Sequence, residues 1–411
     1  MSCPPSTISD PSVGVRPEDR TPWWTLQRIS LYGAAFGLFF LILYGQELYD
    51  SRWFHPGGKP LFLDYGVFQT MTRLAAQGQA TSAYLSDLVG QHLVGFLDQR
   101  APVTFGWFYP PYFFFYLYPF SGLTPLVSYG CFMGFSAALF CSGIYMTWPN
   151  RATLWALFGF SGFWLNLNFG QNGFLTAGLV AWGLYWLEKK PVLAGIAIGL
   201  LSFKPQLGIL FPLVLVAGRE WRCLFSALAT VFFLVLSSLL VYGAGAWMDW
   251  AHALIRAQQE LGQYGLEQLL KVTSYYSWVR QWGGSQTWAE MVQGGVTAGV
   301  AGCLWTVWRR PVPRSSKYAL LILGALMASP YVLEYDLTWL AVWGVWWGRG
   351  LVEKSHRWDR GLLVLLWTVP ALTHEMTHWN WTLPMAQFSL MTAFWWTWRG
   401  TSTKRISSFN D

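Results

Sequence analysis

An all-α, polytopic membrane protein is the fold class this sequence predicts, and three observations carry the prediction. Hydrophobic residues make up 54% of the 411 and charged residues only 11%, where a soluble domain carries about 25% charged residues. Apolar runs of membrane length recur with short charged turns between them, enough for about 12 crossings at roughly 20 residues each. None of these runs alternates polar and apolar residues as a barrel strand must, and a bilayer admits only helices or closed barrels, so the spans are helices.

The formal net charge of +7 does not point to nucleic acid. Lys and Arg sit in the turns between apolar runs, where they orient the chain in a membrane. Cys3, Cys131, Cys141, Cys223 and Cys303 are scattered, with no metal-ligand spacing and no disulfide framework.

Residues 1–22 are polar and rich in Pro and Ser, and read as a cytoplasmic tail ahead of a single membrane domain, 23–398. The first span runs from about Leu26 to Tyr44. Arg16, Arg20 and Arg28 precede it and place the N-terminus in the cytoplasm, and the absence of a small-residue cleavage site makes it a retained helix. Residues 46–108 then form a long outer loop. Within it Val67, Phe68, Met71, Leu74 and Ala75 recur at helical spacing, which predicts a short helix lying on the membrane surface with Asp64 at its start.

The back half follows the positive-inside rule. Arg309, Arg310, Arg314 and Lys317 form one basic loop, Arg349, Lys354, Arg357 and Arg360 a second, and Arg399, Lys404 and Arg405 the tail 399–411; all three are cytoplasmic by this rule. Residues 243–290, 329–336 and 373–384 then face outward. The second large outer loop, 243–290, carries Trp247, Trp250, Ala251, Leu254, Ile255 and Leu261 as an amphipathic stripe, either a docking surface for a lipid substrate or a headgroup anchor. The front half admits two topologies. In one, 108–120 and 191–217 each cross once, which leaves Lys189 and Lys190 outside; in the other, 108–124 is re-entrant and 191–217 is a hairpin broken at Lys204-Pro205.

Asp64 is the candidate general base among five acids of the first loop, the others being Glu47, Asp50, Asp87 and Asp98, because desolvation near the lipid boundary raises a carboxyl toward working pH. Its plainer reading is a helix N-cap. Lys204 is a cation inside an apolar run, where a charge costs a few kcal/mol and faces a cavity or an anion, a lipid phosphate above all, unless it snorkels to the interface. Pro205 beside it breaks the helix and frees backbone groups to line a site. Glu334 and Asp336 lie two residues apart in an outward turn with Tyr335, where they could share a proton, contact sugar hydroxyls or hold a divalent cation. Gln171 and Asn172 are amides suited to sugars in a flexible turn that they also simply close.

His374-Glu375-Met376-Thr377-His378 fits H-E-x-x-H, the helical zinc signature. No second motif supplies the third ligand, and Pro370, Pro384 and Trp379-Asn380-Trp381 around it predict a loop rather than a long helix. A zinc protease is therefore a rival reading. A transporter or flippase for a lipid-linked saccharide is another, although no second copy of the Lys204-Pro205 block marks an internal repeat.

Several blocks in order resemble glycosyltransferase family 87, the polyprenol-phosphate-dependent enzymes of GT-C membrane fold. They are Asp64-Tyr65, Tyr109-Pro110-Pro111 with Leu117-Tyr118-Pro119, Gly170-Gln171, Gly195 to Leu200 leading to Lys204-Pro205, Pro212 to Arg222, and Ser329-Pro330 leading to Tyr335-Asp336. The resemblance implies a transferase that takes a sugar, typically mannose, from a polyprenyl phosphate on the outer face of a bacterial inner membrane and delivers it, with inversion, to a lipid or glycan acceptor. It implies Asp64 as general base; Lys204 could supply the positive charge that the departing phosphate needs, and Tyr109 is a further candidate substrate contact. Relatives with histidine in the turn after Ser-Pro differ from this chain, which has Tyr331, Glu334, Tyr335 and Asp336 there. Phosphate recognition then passes to His374 or His378. A divalent cation is the one cofactor the carboxylates admit.

Overall fold

The computed structural model describes residues 25–51, 61–85, 106–263, 265–349, 357–378 and 385–401, and among these the chain is helical throughout. Helix α1 (Leu26–Tyr49) opens on Thr25, whose hydroxyl accepts from the Arg28 amide. Next come α2 (Leu63–Ala76), a 3-10 turn over Pro111–Phe113 that runs into α3 (Phe114–Ser121), and α4 (Pro125–Thr147). A broken passage follows as α5 (Arg151–Phe158) and α6 (Ser161–Phe169), then α7 (Gly173–Trp186). Helix α8 (Pro191–Leu200) is separated by Lys204 from α9 (Pro205–Gly208) and α10 (Leu210–Ala217). Helix α11 (Trp221–Gln263) is kinked at Gly243, where φ is 77°. The rest are α12 (Leu266–Lys271), α13 (Tyr275–Gln281), α14 (Gln286–Trp308), α15 (Arg314–Ala328), α16 (Trp339–Gly348), α17 (Arg357–His378) and α18 (Met385–Arg399).

Among the described residues, three helices are long and apolar enough to cross a membrane by length and composition: α1, α4 and Trp221–Glu260 within α11. In α1 and α11 only 17% of the apolar window is buried, so these two present apolar side chains outward. Helix α7 is apolar too, yet nearly all of it is buried. Packed between α4 and α8, it needs no lipid-length span of its own. Helix α8 lies against α11 through Gly195 and Gly199, where a Cβ would stand 2.3 Å from the Cys223 carbonyl and 2.6 Å from Thr230 Cβ. This small-x-x-x-small spacing lets two helices touch backbone to backbone.

The front-half ambiguity resolves in favour of the hairpin. Arg314 Nε is 2.7 Å from Glu188 and its Nη1 is 2.8 Å from Glu220, so the turns before α8 and α11 meet the basic turn before α15 at one end of the bundle. Lys204, midway between Glu188 and Glu220 in sequence, sits at the other end beside Asp336. Residues 191–217 therefore go up and come back. Residues 108–124 likewise enter and leave at that second end. Tyr109 accepts there from Asn172, and Tyr129 in the first turn of α4 donates to the Leu167 carbonyl at 2.7 Å. The last turn of α4 reaches the basic end, where the Thr147 carbonyl accepts from Arg349. Single cysteines at Lys190 and Ser285, in a chain without its native cysteines, should react with impermeant reagents from opposite sides of the membrane. Reaction of both from one side would refute the hairpin.

The helix expected in the first loop forms as α2, but its apolar stripe is covered by protein. Phe68 meets the rings of Trp107, Tyr109, Phe113 and Phe132, and Arg73 grips the Ser121 and Leu123 carbonyls at 2.7 Å each. Helical spacing marks a buried face without saying whether lipid or protein buries it. A second difference is at H-E-x-x-H, where α17 continues through His378 instead of giving way to a loop. Pro370 sits inside that helix, whose neighbours re-satisfy the backbone it interrupts. Trp379, Asn380 and Trp381 lie outside the described residues, as do Asp87, Asp98 and the side chain of His378.

Candidate active site

A cleft of about 650 Å³ opens at the end of the bundle opposite the basic turns. Its walls come from the start of α2, residues 106–109, Gln171, the break at Lys204, the outer arm of α11, the start of α14, and the turn from Tyr331 to Asp336.

Asp64 reaches this cleft because the chain turns sharply just before it. Phe62 has φ 62°, a left-handed conformation that costs a non-glycine residue about 1–2 kcal/mol. Stacking of its ring on Tyr129, with centroids 3.8 Å apart, helps hold it. The cap position of α2 is thus Phe62, and Asp64 does not cap the helix. Its Oδ2 instead accepts from Gln171 Nε2 at 2.9 Å. Burial pushes the Asp64 carboxyl up, and the Gln171 hydrogen bond with the charges of Lys204 and Lys271 draws it back only in part.

Gln171 is aimed by Gly170, whose φ of 69° ends α6 in a left-handed cap. Asn172 is fully buried and donates through Nδ2 to Tyr109 Oη at 2.8 Å, so it orients the phenol from behind the cleft wall. At Gly173 a Cβ would come within 2.4 Å of the Tyr335 carbonyl. Gly173→Ala must displace the turn that carries Tyr335 and Asp336, with a loss of stability of about 1–3 kcal/mol. An unchanged denaturation midpoint would show that this close approach has no role.

Lys204 is 4% exposed and Asp336 1%, and Lys204 Nζ lies 2.6 Å from Asp336 Oδ1. The ammonium also stands 4.7 Å from the centroid of the Tyr335 ring, while Asp336 Oδ2 accepts from the Leu333 amide. The expected cation is therefore present at the cleft, with its charge already engaged by a carboxylate. Glu334 and Asp336 do not act together as the sequence suggested. They fall in a 3-10 turn, Glu334–Thr338, where residues i and i+2 point about 120° apart. Asp336 turns to Lys204, and Glu334 turns to His374, whose Nδ1 is 2.7 Å from Oε2.

Of the sequence-predicted residues, Asp64, Tyr109, Gln171, Lys204, Tyr335 and Asp336 line the cleft. Asn172, Glu334 and His374 stand outside its lining, each hydrogen-bonded to another side chain. For H-E-x-x-H, the His374 Nδ1 contact with Glu334 and the absence, among the described residues, of any group of three or more His, Cys, Asp or Glu able to hold a metal give the zinc reading no support.

Residues that sequence reasoning missed complete the cleft. Ala257 and Gln258 of α11 line it beside Trp250 and Leu254, which the stripe read in this loop already included, at the i, i+4, i+7, i+8 spacing of one helix face. Trp250 is fixed by its indole, which donates to the Phe108 carbonyl at 3.0 Å. Tyr276, Gln286 and Glu290 close the rim. Lys271 adds positive charge near Asp64 because the next residue, Val272, bridges Leu333 of the opposing turn. Nothing in its local sequence distinguishes Lys271 from any loop lysine.

The sequence model of glycosyltransferase family 87 matches residues 107–330, more than half of the chain. No curated protein and no solved structure matches. The match includes Tyr109, Gln171 and Lys204 of the cleft; Asp64 lies well ahead of it in sequence and Asp336 just after. From Trp107 on one cleft wall to Pro330 on another, the matched region builds most of the site, and the chain belongs to glycosyltransferase family 87 as a membrane glycosyltransferase.

Proposed function

We propose that this glycosyltransferase takes a hexose, mannose in the first instance, from a polyprenyl phosphate and transfers it with inversion to a lipid or glycan acceptor at the periplasmic face of a bacterial inner membrane. The observation that carries the proposal is a single cleft holding a carboxyl pushed up by burial, Asp64, together with a buried ammonium, Lys204. Asp64 takes the proton of the acceptor hydroxyl while that oxygen attacks the anomeric carbon, and the bond from that carbon to the phosphate oxygen breaks. The departing phosphate gains negative charge as Lys204 exchanges Asp336 for it. One displacement on an activated sugar inverts the centre. Rim residues Trp250, Tyr276, Gln258 and Gln286 offer ring faces and amides, the groups that suit a saccharide acceptor.

A second hollow of about 570 Å³, walled by Phe115, Tyr118, Pro119, Val241 and Tyr242 beside the Gly243 kink, suits an isoprenoid tail. Tyr118 and Val241 are exposed on its edge, where lipid chains run. A transporter of lipid-linked saccharide shares the need for such a groove, but family membership favours the enzyme. Purified protein in liposomes, given labelled polyprenyl-phosphate-mannose and a membrane-lipid extract, should form a labelled product. Transfer from a nucleotide sugar, with none from the lipid-linked sugar, would overturn the proposal.

A further inference from the structure

Glu334 and His374 form a pair behind the cleft, and we propose that they are positioning residues. Their contact holds the turn from Leu333 to Asp336, and through Asp336 the Lys204 ammonium, in working register while the imidazole carries its proton. The catalytic readout of this inference rests on the transfer reading above; its structural readout does not.

The turn is gripped from two sides by acids that cannot share a face. Asp336 holds Lys204 at 2.6 Å, and Glu334 holds His374 at 2.7 Å. Glu334 is 4% exposed, and a polar group buried to that degree needs a hydrogen-bond partner, which His374 supplies. Phe169 fills the space between the two halves of the device, with its ring 5.6 Å from His374 and 6.1 Å from Tyr335. His374 thus ties the end of α17 to a turn whose Leu333, Tyr335 and Asp336 line the cleft, while Glu334 faces His374 instead. The opposite edge of the same turn is pinned by Thr273, whose amide donates to the Val332 carbonyl.

Among the described residues, the charged groups facing His374 are acidic. Glu334 comes from the turn, Glu375 from α17 itself, and Glu47 from α1, where it accepts from Asn168 of α6 at 2.6 Å. Burial works against charge on the imidazole, and the Glu334 hydrogen bond together with these carboxylates outweighs it and favours the imidazolium form. The hold on the turn is accordingly complete below the imidazole titration and weakens as pH rises through it, since an imidazole changes charge in the neutral range. Glutamine at position 374 keeps a hydrogen bond to Glu334 without titrating, whereas phenylalanine removes it.

Hydrogen exchange of the peptide covering residues 331–338, followed from about pH 5.5 to 8.5 and referred to His374→Gln at each pH, reads the device without any donor. Protection in the wild type should fall about tenfold across the titration, the change that one unit of imidazole pKa difference between held and released turn produces. His374→Gln and Glu334→Gln should be flat. Sugar transfer by the wild type should show an alkaline limb that His374→Gln lacks, while His374→Phe loses transfer at every pH and is not rescued by acid. Parallel exchange profiles in wild type and His374→Gln would overturn the inference even if transfer proceeds. Absence of transfer with an intact exchange difference would instead reject the functional reading and leave the positioning device standing.

Discussion

Replacing Asp64 by asparagine should lower kcat for sugar transfer about 100- to 10,000-fold, the range expected when a general base is removed, with little change in KM for either substrate. Asparagine has the same shape, and its Oδ1 can still accept from Gln171 Nε2, so the start of α2 and the packing under it remain in place. What is lost is the ability to take a proton. Burial raises the Asp64 carboxyl above its ordinary value, and a group with a raised folded-state pKa binds protons more readily folded than unfolded. Its ionisation therefore works against folding as pH rises. Asp64→Asn should then melt no lower than the wild type at neutral pH, and the acid limb of the wild-type rate profile should lie above the usual carboxylate range. A variant that transfers at the wild-type rate would remove Asp64 from the mechanism; one that melts far lower would make it a structural residue.

Lys204→Met should be the most destabilising single change in the cleft. It leaves Asp336 buried without its partner, and breaking one side of a buried ion pair costs about 3–5 kcal/mol. Removing both charges, as Lys204→Met with Asp336→Leu, should recover most of that loss, because the pair itself gains little beyond offsetting its own desolvation. Transfer should be abolished in both variants. The comparison separates folding from function: recovered stability with no recovered activity assigns the ammonium to the departing phosphate. Recovered activity in the double variant would show that Lys204 serves only to neutralise Asp336. Chemical denaturation and transfer assays on the same detergent-purified preparations supply both readouts.

The polar groups in otherwise apolar surroundings were legible before any coordinates. Lys204 interrupts a membrane-length run and is followed by a proline, Gln171 sits inside a glycine-bounded turn, and Asp64 opens a helical pattern in a loop. A charge or amide in a costly place has few explanations, and its type restricts the chemistry it can perform. Orientation was not legible. Glu334 and Asp336 are near neighbours in sequence, and only the 3-10 conformation sends one to His374 and the other to Lys204. The stripe on α2 read as lipid-facing because hydrophobic periodicity does not name the partner, and the partner proved to be Trp107 and the residues after it. The two front-half topologies differed by a charge rule that permits exceptions; they were separated by Arg314, which joins Glu188 to Glu220 across long sequence distances.

The hairpin broken at Lys204 also sets how deep the chemistry lies. The rising limb, Pro191–Phe203, covers roughly 20 Å at 1.5 Å per residue, against a hydrocarbon thickness of about 30 Å. If it starts at the membrane boundary on the basic side, its tip stops roughly 10 Å short of the opposite boundary. On that placement the ammonium and the carboxylates around it occupy a polar recess below the outer boundary. Under the proposed function, a lipid-linked sugar phosphate need not be lifted out of its leaflet to meet Lys204, since it can slide in sideways at nearly its resting depth. The acceptor is the molecule that must reach down.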